Sequence, residues 1–166
     1  MIFAALAQGD TVFLDANTLV YHFTADPLVG VACSDLLIRI KRQEISGYTS
    51  THILSELAHR LMTIEAMTLY SWPAAGIAQR LRRHPAEVQK LTTFRQAIQQ
   101  VSHFSLHILQ IHPSLIDIAA GISQQTGLLS NDALVVAVMQ ANGLTNLASN
   151  DGDFDRVSGL TRYGPG

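Results

Sequence analysis

The sequence predicts an α/β fold: a three-layer α/β/α arrangement around a central parallel sheet of four or five strands. Three observations carry that expectation. Short apolar or β-branched runs alternate with longer segments of helical spacing, the pattern of parallel strands covered on both faces by helices. Ala133-Leu134-Val135-Val136-Ala137-Val138-Met139 is a helix with almost no polar face, which demands burial against a sheet. Aspartates stand where apolar runs stop, at Asp15 and at Asp151-Gly152-Asp153. That puts them at the C-terminal edge of the sheet, where open parallel sheets bind ligands.

Thr11-Val12-Phe13-Leu14 reads as a buried strand and runs into Asp15-Ala16-Asn17-Thr18, then a helix over 19–23. Pro27 breaks the chain. Residues 28–42 have helical spacing, with Arg39, Lys41 and Arg42 in the last turn, where the helix dipole favours cations. Residues 45–49 form a second strand. Ser50 or Thr51 caps the next helix, which carries Ile53, Leu54, Leu57, Ala58 and Leu61 on one face and Glu56 beside that stripe. Pro73 and Pro85 divide the next region into helices over 73–83 and 86–101. Residues 106–111 alternate as a third strand. His112-Pro113 opens a helix that ends before Gly127, and the Asp132 helix closes at Asn142-Gly143. A strand over 144–149 follows, and 160–163 adds an edge strand.

A chain of 166 residues with 48% apolar content and mean hydropathy +0.20 is one domain by default, with ample core. Net charge is -2 and pI is about 6.4, which excludes a globally basic nucleic-acid coat but not a local basic patch. Between residues 61 and 100, Arg80, Arg82, Arg83, Lys90 and Arg95 face only Glu65 and Glu87, so the middle of the chain is locally basic. The first three, with His84, could grip RNA phosphates or form a solvated helix face. Trp72 could stack a base, but filling the core is the simpler reading. One cysteine, Cys33, fits a reducing cytoplasm. No basic-then-apolar leader and no membrane-length apolar run occur, so neither secretion nor a membrane is expected.

Only 14% of residues are charged, so four acids at gathering points of a parallel sheet stand out: Asp15, Glu56, Asp132 and Asp151, with Asp153 next. Clustered carboxylates repel and raise one another's pKa, and a hard divalent cation, Mg²⁺ or Mn²⁺, removes that penalty. Such an ion lowers the pKa of bound water and neutralises charge developing on phosphorus. An all-carboxylate site therefore suits phosphodiester hydrolysis. Each acid also has a local structural reading: Asp132 at a helix start, Asp15 or Asp151 in a turn, Glu56 as a solvated helix residue.

Phe13-Leu14-Asp15-Ala16-Asn17, Ser55-Glu56, Leu129-Ser130-Asn131-Asp132-Ala133-Leu134 and Ser149-Asn150-Asp151-Gly152-Asp153-Phe154 together resemble the PIN-domain ribonucleases, and among them the VapC-type toxins of bacterial toxin–antitoxin pairs. The resemblance covers about residues 11–163. It implies a single PIN-like domain over 1–166, with Asp15, Glu56, Asp132 and Asp151 as the catalytic acids. Asp153 would join them at the metal, and Asn17 and Ser149 would position the site. It further implies Mg²⁺ (or Mn²⁺) as cofactor, RNA as substrate, a small DNA-binding antitoxin as partner, and a homodimer. Two departures stand out: the helical region 62–104 is longer than usual in this family, and Asp155 has no role to carry over. Asp132 and Glu56 both remain candidates for orienting or deprotonating the attacking water. Two other functions fit the same fold: a catalytically silent PIN-like module binding RNA or protein, and a metal-dependent phosphohydrolase.

Other patterns fail. An EF-hand loop starting at Asp151 needs Gly and Glu where Arg156 and Arg162 stand. Glu56-Leu57-Ala58-His59 occurs once where a di-iron site needs a pair. The seven histidines lack ligand spacing. His52, one turn from Glu56, could bond it, although an ordinary surface histidine is the simpler reading. Asp15-Ala16-Asn17 lacks the second Asp of an aspartyl-phosphate phosphatase.

Overall fold

The computed structural model describes residues 1–166. Its strands are β1 (Thr11–Leu14), β2 (Ser46–Ser50), β3 (His107–Leu109), β4 (Asn146–Ala148) and β5 (Thr161–Tyr163). They form one sheet in the order β3-β2-β1-β4-β5, parallel throughout. Helices α1 (Ala16–Phe23), α2 (Gly30–Lys41), α3 (Thr51–Tyr70), α4 (Ile77–Arg83), α5 (Pro85–Val88), α6 (Thr93–Val101), α7 (Pro113–Thr126) and α8 (Ser130–Ala141) flank it. The expected α/β architecture is present, with five strands.

The central strand explains the burial pattern. Val12, Phe13 and Leu14 of β1 are fully buried among a core of 35 residues. Truncating a fully buried Phe costs about 3–5 kcal/mol, so β1 is a rigid rail for whatever follows it. In α8 every residue over 133–139 is buried, as its lack of a polar face requires. A Cβ at Gly47 would lie 2.7 Å from side-chain atoms of Ile40 and Leu106, so β2 needs a glycine where α2 crosses it. The helix stops at Gly127 and Asn142 are where expected, Gly127 taking a left-handed φ of 74°.

Three details differ from the sequence reading. The third and fourth strands both shrink from six residues to three, β3 at the sheet edge with His107 and Ile108 exposed and β4 between β1 and β5. The helix expected over 86–101 breaks into α5 and α6. The break has a cap: the Glu65 carboxylate on α3 accepts from Thr92 N (3.1 Å) and Thr93 N (3.0 Å), holding the start of α6. Trp72 does not enter the main core. It is half-buried beside a small satellite cluster of Ala66, Leu81 and Leu91, its ring tilted against those of Tyr70 and His84.

Candidate active site

The site grows from the register of two strands. Leu14 of β1 pairs with Ala148 of β4, so Asp15 and Ser149 leave the sheet side by side at its C-terminal edge. Asp15 caps α1: its Oδ1 accepts from Ala16 N at 2.7 Å. Its Oδ2 accepts from Asn17 Nδ2 (2.7 Å) and from the Ser149 hydroxyl (2.8 Å). Ser149 Oγ in turn accepts from Asn17 Nδ2 and Asp151 N, both at 3.0 Å. Asn17 Oδ1 accepts from Asn150 N at 3.1 Å, and Thr18 Oγ1 donates to Ala148 O at 2.9 Å. Asn17 and Ser149 thus stitch the β1–α1 turn to the end of β4. Asp15 therefore has the local role of capping α1 as well as a place at the sheet edge.

The other acids arrive from three elements. Glu56 lies on α3, Asp132 in the first turn of α8, and Asp151 accepts from Asp153 N at 2.8 Å to open the helical turn Gly152–Arg156. Their convergence is read in the Asp132 carboxyl, pushed up from 3.8 to about 6. Burial is the main cause, and the charges of Asp15, Asp151, Glu56 and Asp153 all add to it. Asp15, only 7% exposed, also rises to about 6. Its burial outweighs the hydrogen bonds from Ser149 and Ala16, and Glu56 adds to the rise while Arg60 opposes it. All five sequence-predicted acids therefore share one electrostatic field. Asp153 is additionally paired with Arg156 at 2.7 Å.

The donors fit a hard cation. They are all oxygens, and two of the carboxyls are held high by burial and mutual repulsion, the penalty that a cation relieves. No group of three or more acidic, histidine or cysteine side chains is already gathered to hold a metal ion. Mg²⁺ does not require one: it keeps several waters and binds through one or two carboxylates plus substrate phosphate.

The model of the PIN domain matches residues 12–160, most of the chain. The chain belongs to the PIN-domain family. Solved structures share this PIN fold at low identity. VapC20 of Mycobacterium tuberculosis, described as a toxin that cleaves the sarcin–ricin loop, superposes with a TM-score of 0.60 at 18% identity, over 87% of this chain and 92% of its own. The DNA-bound VapBC of Salmonella typhimurium gives 0.58 at 13%, over 93% and 98%. VapBC2 of Rickettsia felis, bound to a promoter fragment, gives 0.56 at 17%, over 93% and 98%. Likeness at these identities is one of fold. No curated protein matches the sequence.

Within this PIN domain the arginines singled out in the sequence do not line the acidic cleft. Arg80 lies over the Trp72 ring at 5.7 Å, and Arg80 and Arg83 border a cavity with Trp72 and His84. Arg82 faces a separate groove beside His59 and Met62 of α3. The cleft cation is Arg60, unremarked in the sequence: it lines a cavity of about 330 Å³ with Asn17, Tyr21, Asn150, Asp151 and Gly152. The i, i+4 spacing of Glu56 and Arg60 on α3 was the available signal. Asp155 acquires a role as well. It accepts two 2.8 Å bonds from Arg162, whose third N–H reaches Ser149 O at 3.3 Å, tying β5 to the site. His52 makes no bond to Glu56; its Nε2 is buried without a partner, and burial lowers its pKa.

Proposed function

We propose that the chain is a Mg²⁺- or Mn²⁺-dependent endoribonuclease, a single-domain toxin held in check by a small antitoxin. The observation that carries the reading is that the charges of Asp15, Glu56, Asp151 and Asp153 all reach the Asp132 carboxyl, in the first turn of α8, and add to the burial that pushes it up to about 6. Asp15, Glu56, Asp132 and Asp151 are the catalytic acids, and Asp153 joins them in holding the metal. When bound, the ion supplies an activated water and neutralises charge on the phosphodiester. The chain's own residues do the rest. Asn17 and Ser149 lock the Asp15 carboxylate in place, and Asp132 or Glu56 orients the attacking water or takes its proton. Arg80, Arg82 and Arg83 lie outside the cleft and would guide the flanking RNA strand by phosphate contacts.

The partner reading draws support from exposed apolar side chains. Leu28 is 91% exposed and Val31 75% exposed, just after Pro27, a surface suited to an amphipathic inhibitor helix. The resemblance adds a homodimer, and the single cysteine, Cys33, suits a cytoplasmic setting. No helix of the structure is long and apolar enough to cross a membrane.

The test is cleavage of single-stranded RNA oligomers against hydrolysis of a small phosphate ester, with Mg²⁺, Mn²⁺, Ca²⁺ or EDTA. RNA should be cut with Mg²⁺ or Mn²⁺ and left intact with Ca²⁺ or EDTA, and Asp132→Asn should lower the rate by at least a hundredfold. RNA binding without metal-dependent cutting would favour a silent module, and turnover of the ester alone a phosphohydrolase.

A further inference from the structure

We infer that Arg60 is a phosphate clamp: with the Asn150 amide and the Tyr21 hydroxyl it forms a subsite for an RNA phosphodiester at the edge of the acidic cleft. The inference rests on the ribonuclease reading and adds a substrate-binding group to it.

The cleft presents a physical problem. Five carboxylates repel a polyanionic strand, in a chain whose net charge is already -2. A single divalent ion offsets only part of that, so a second positive group must meet the strand. Three arginines lie near the acids, and two are committed. Arg162 spends its N–H groups on Asp155 and Ser149 O, and Arg156 is paired with Asp153 at 2.7 Å. Arg60 has one polar partner, Glu56, at 3.9 Å, too long for a hydrogen bond. A partly exposed ion pair at that distance on a helix is weak, so the guanidinium fork is free to be recruited.

Its place suits a phosphate. Arg60 is the one cationic side chain lining the cavity, and its charge is felt at buried Asp15. Across the cavity stand the Tyr21 hydroxyl and the Asn150 side-chain amide, 3.4 Å from each other. A planar guanidinium and two neutral donors make a suitable cradle for phosphodiester oxygens. Turning toward a phosphate also takes Arg60 off Glu56. Arrival of the strand therefore frees Glu56 for the water or the metal.

Binding of a fluorescein-labelled single-stranded RNA oligomer is measured by anisotropy over about 50–200 mM salt. The protein carries Asp132→Asn so that the strand is not cut, and Arg60 is compared with Arg60→Gln and Arg60→Lys. Mn²⁺ binding is titrated calorimetrically with Arg60 and Arg60→Gln in an otherwise unchanged chain. Arg60→Gln should weaken RNA binding about tenfold and flatten the salt slope by about 0.7, the loss of one phosphate contact on a single strand. Arg60→Lys should keep the slope and recover part of the affinity. Mn²⁺ affinity should hold or rise, because Glu56 is released. A residue that merely fixes Glu56 gives the opposite pattern: an unchanged salt slope and weaker Mn²⁺ binding. That result, beside normal wild-type cleavage, overturns the clamp and leaves the ribonuclease standing. A wild type that neither binds nor cuts RNA overturns both.

Discussion

Asp15→Asn should make the metal-free protein more stable at pH 8 while disabling it. The Asp15 carboxyl lies at about 6 instead of 3.8 because it is buried. That difference corresponds to about 3 kcal/mol against the charged form in the folded state. The folded protein holds this proton more tightly than the unfolded chain. The penalty is therefore fully present above about pH 6, and it is relieved as the pH falls toward 3.8. Asparagine removes the charge and keeps the shape. It also puts an NH₂ where Oδ2 accepted from Asn17 Nδ2 at 2.7 Å, a donor–donor clash costing about 1–2 kcal/mol. The net gain at pH 8 is about 1–2 kcal/mol, or roughly 2–8 °C in a protein of this size. Calorimetric melting in EDTA should show the variant above the wild type at pH 8 and below it at pH 4. Near-millimolar Mg²⁺ should raise the wild type, by binding only its folded form, and raise the variant less. A variant that melts below the wild type by the same margin at every pH would show that burial does not penalise the Asp15 charge. The carboxylate field behind the metal argument would then fail.

Further outcomes follow from the surfaces outside the cleft. Trp72 is the only tryptophan, so RNA running over α4 should quench its fluorescence, and Arg80→Glu with Arg83→Glu should remove that quenching and flatten the salt dependence of binding. Arg82→Glu should weaken binding without changing the tryptophan signal, since Arg82 faces the other groove. A neighbouring small gene product, expressed with the chain, should co-elute in a complex larger than the chain forms by itself and block cleavage. Leu28→Asp with Val31→Asp should weaken that complex at least tenfold, and co-elution unaffected by the pair would move the partner elsewhere.

What was legible in the sequence is what local chemistry determines. The run 11–14 had to be a buried strand, the run 133–139 a buried helix, and the acids after the strands had to meet at one edge. The missed features depend on contacts between distant residues. The break between α5 and α6 is set by Glu65, twenty-seven residues before Thr92, and no local pattern announces such a cap. Residues 106–111 have the composition of a strand, but their pairing is limited by a position at the sheet edge that only topology reveals. Arg60 was hidden because the apolar stripe of α3 says which face is buried, not which polar residue turns toward the cleft. Asp155 looked idle because its partner, Arg162, lies on a strand seven residues on.

The site divides its acids into fixed and free ones, and this division follows from hydrogen bonding rather than from position alone. Asp15 receives three hydrogen bonds from Ala16, Asn17 and Ser149, so its carboxylate is oriented before any ligand arrives. Its lone pairs are largely engaged, and reorienting it would break a network that also holds Asn150 and Asp151. Asp132 is the opposite case. No hydrogen bond lowers its carboxyl, and what acts on it is burial and the charge of its neighbours. A group of that kind changes protonation or partner at little structural cost, and a proton acceptor works best when its pKa lies near the working pH. On the proposed reading Asp15 is the fixed anchor of the site. Asp132 is then better placed than Asp15 to exchange a proton with water, and Glu56 joins in once Arg60 has turned to the strand.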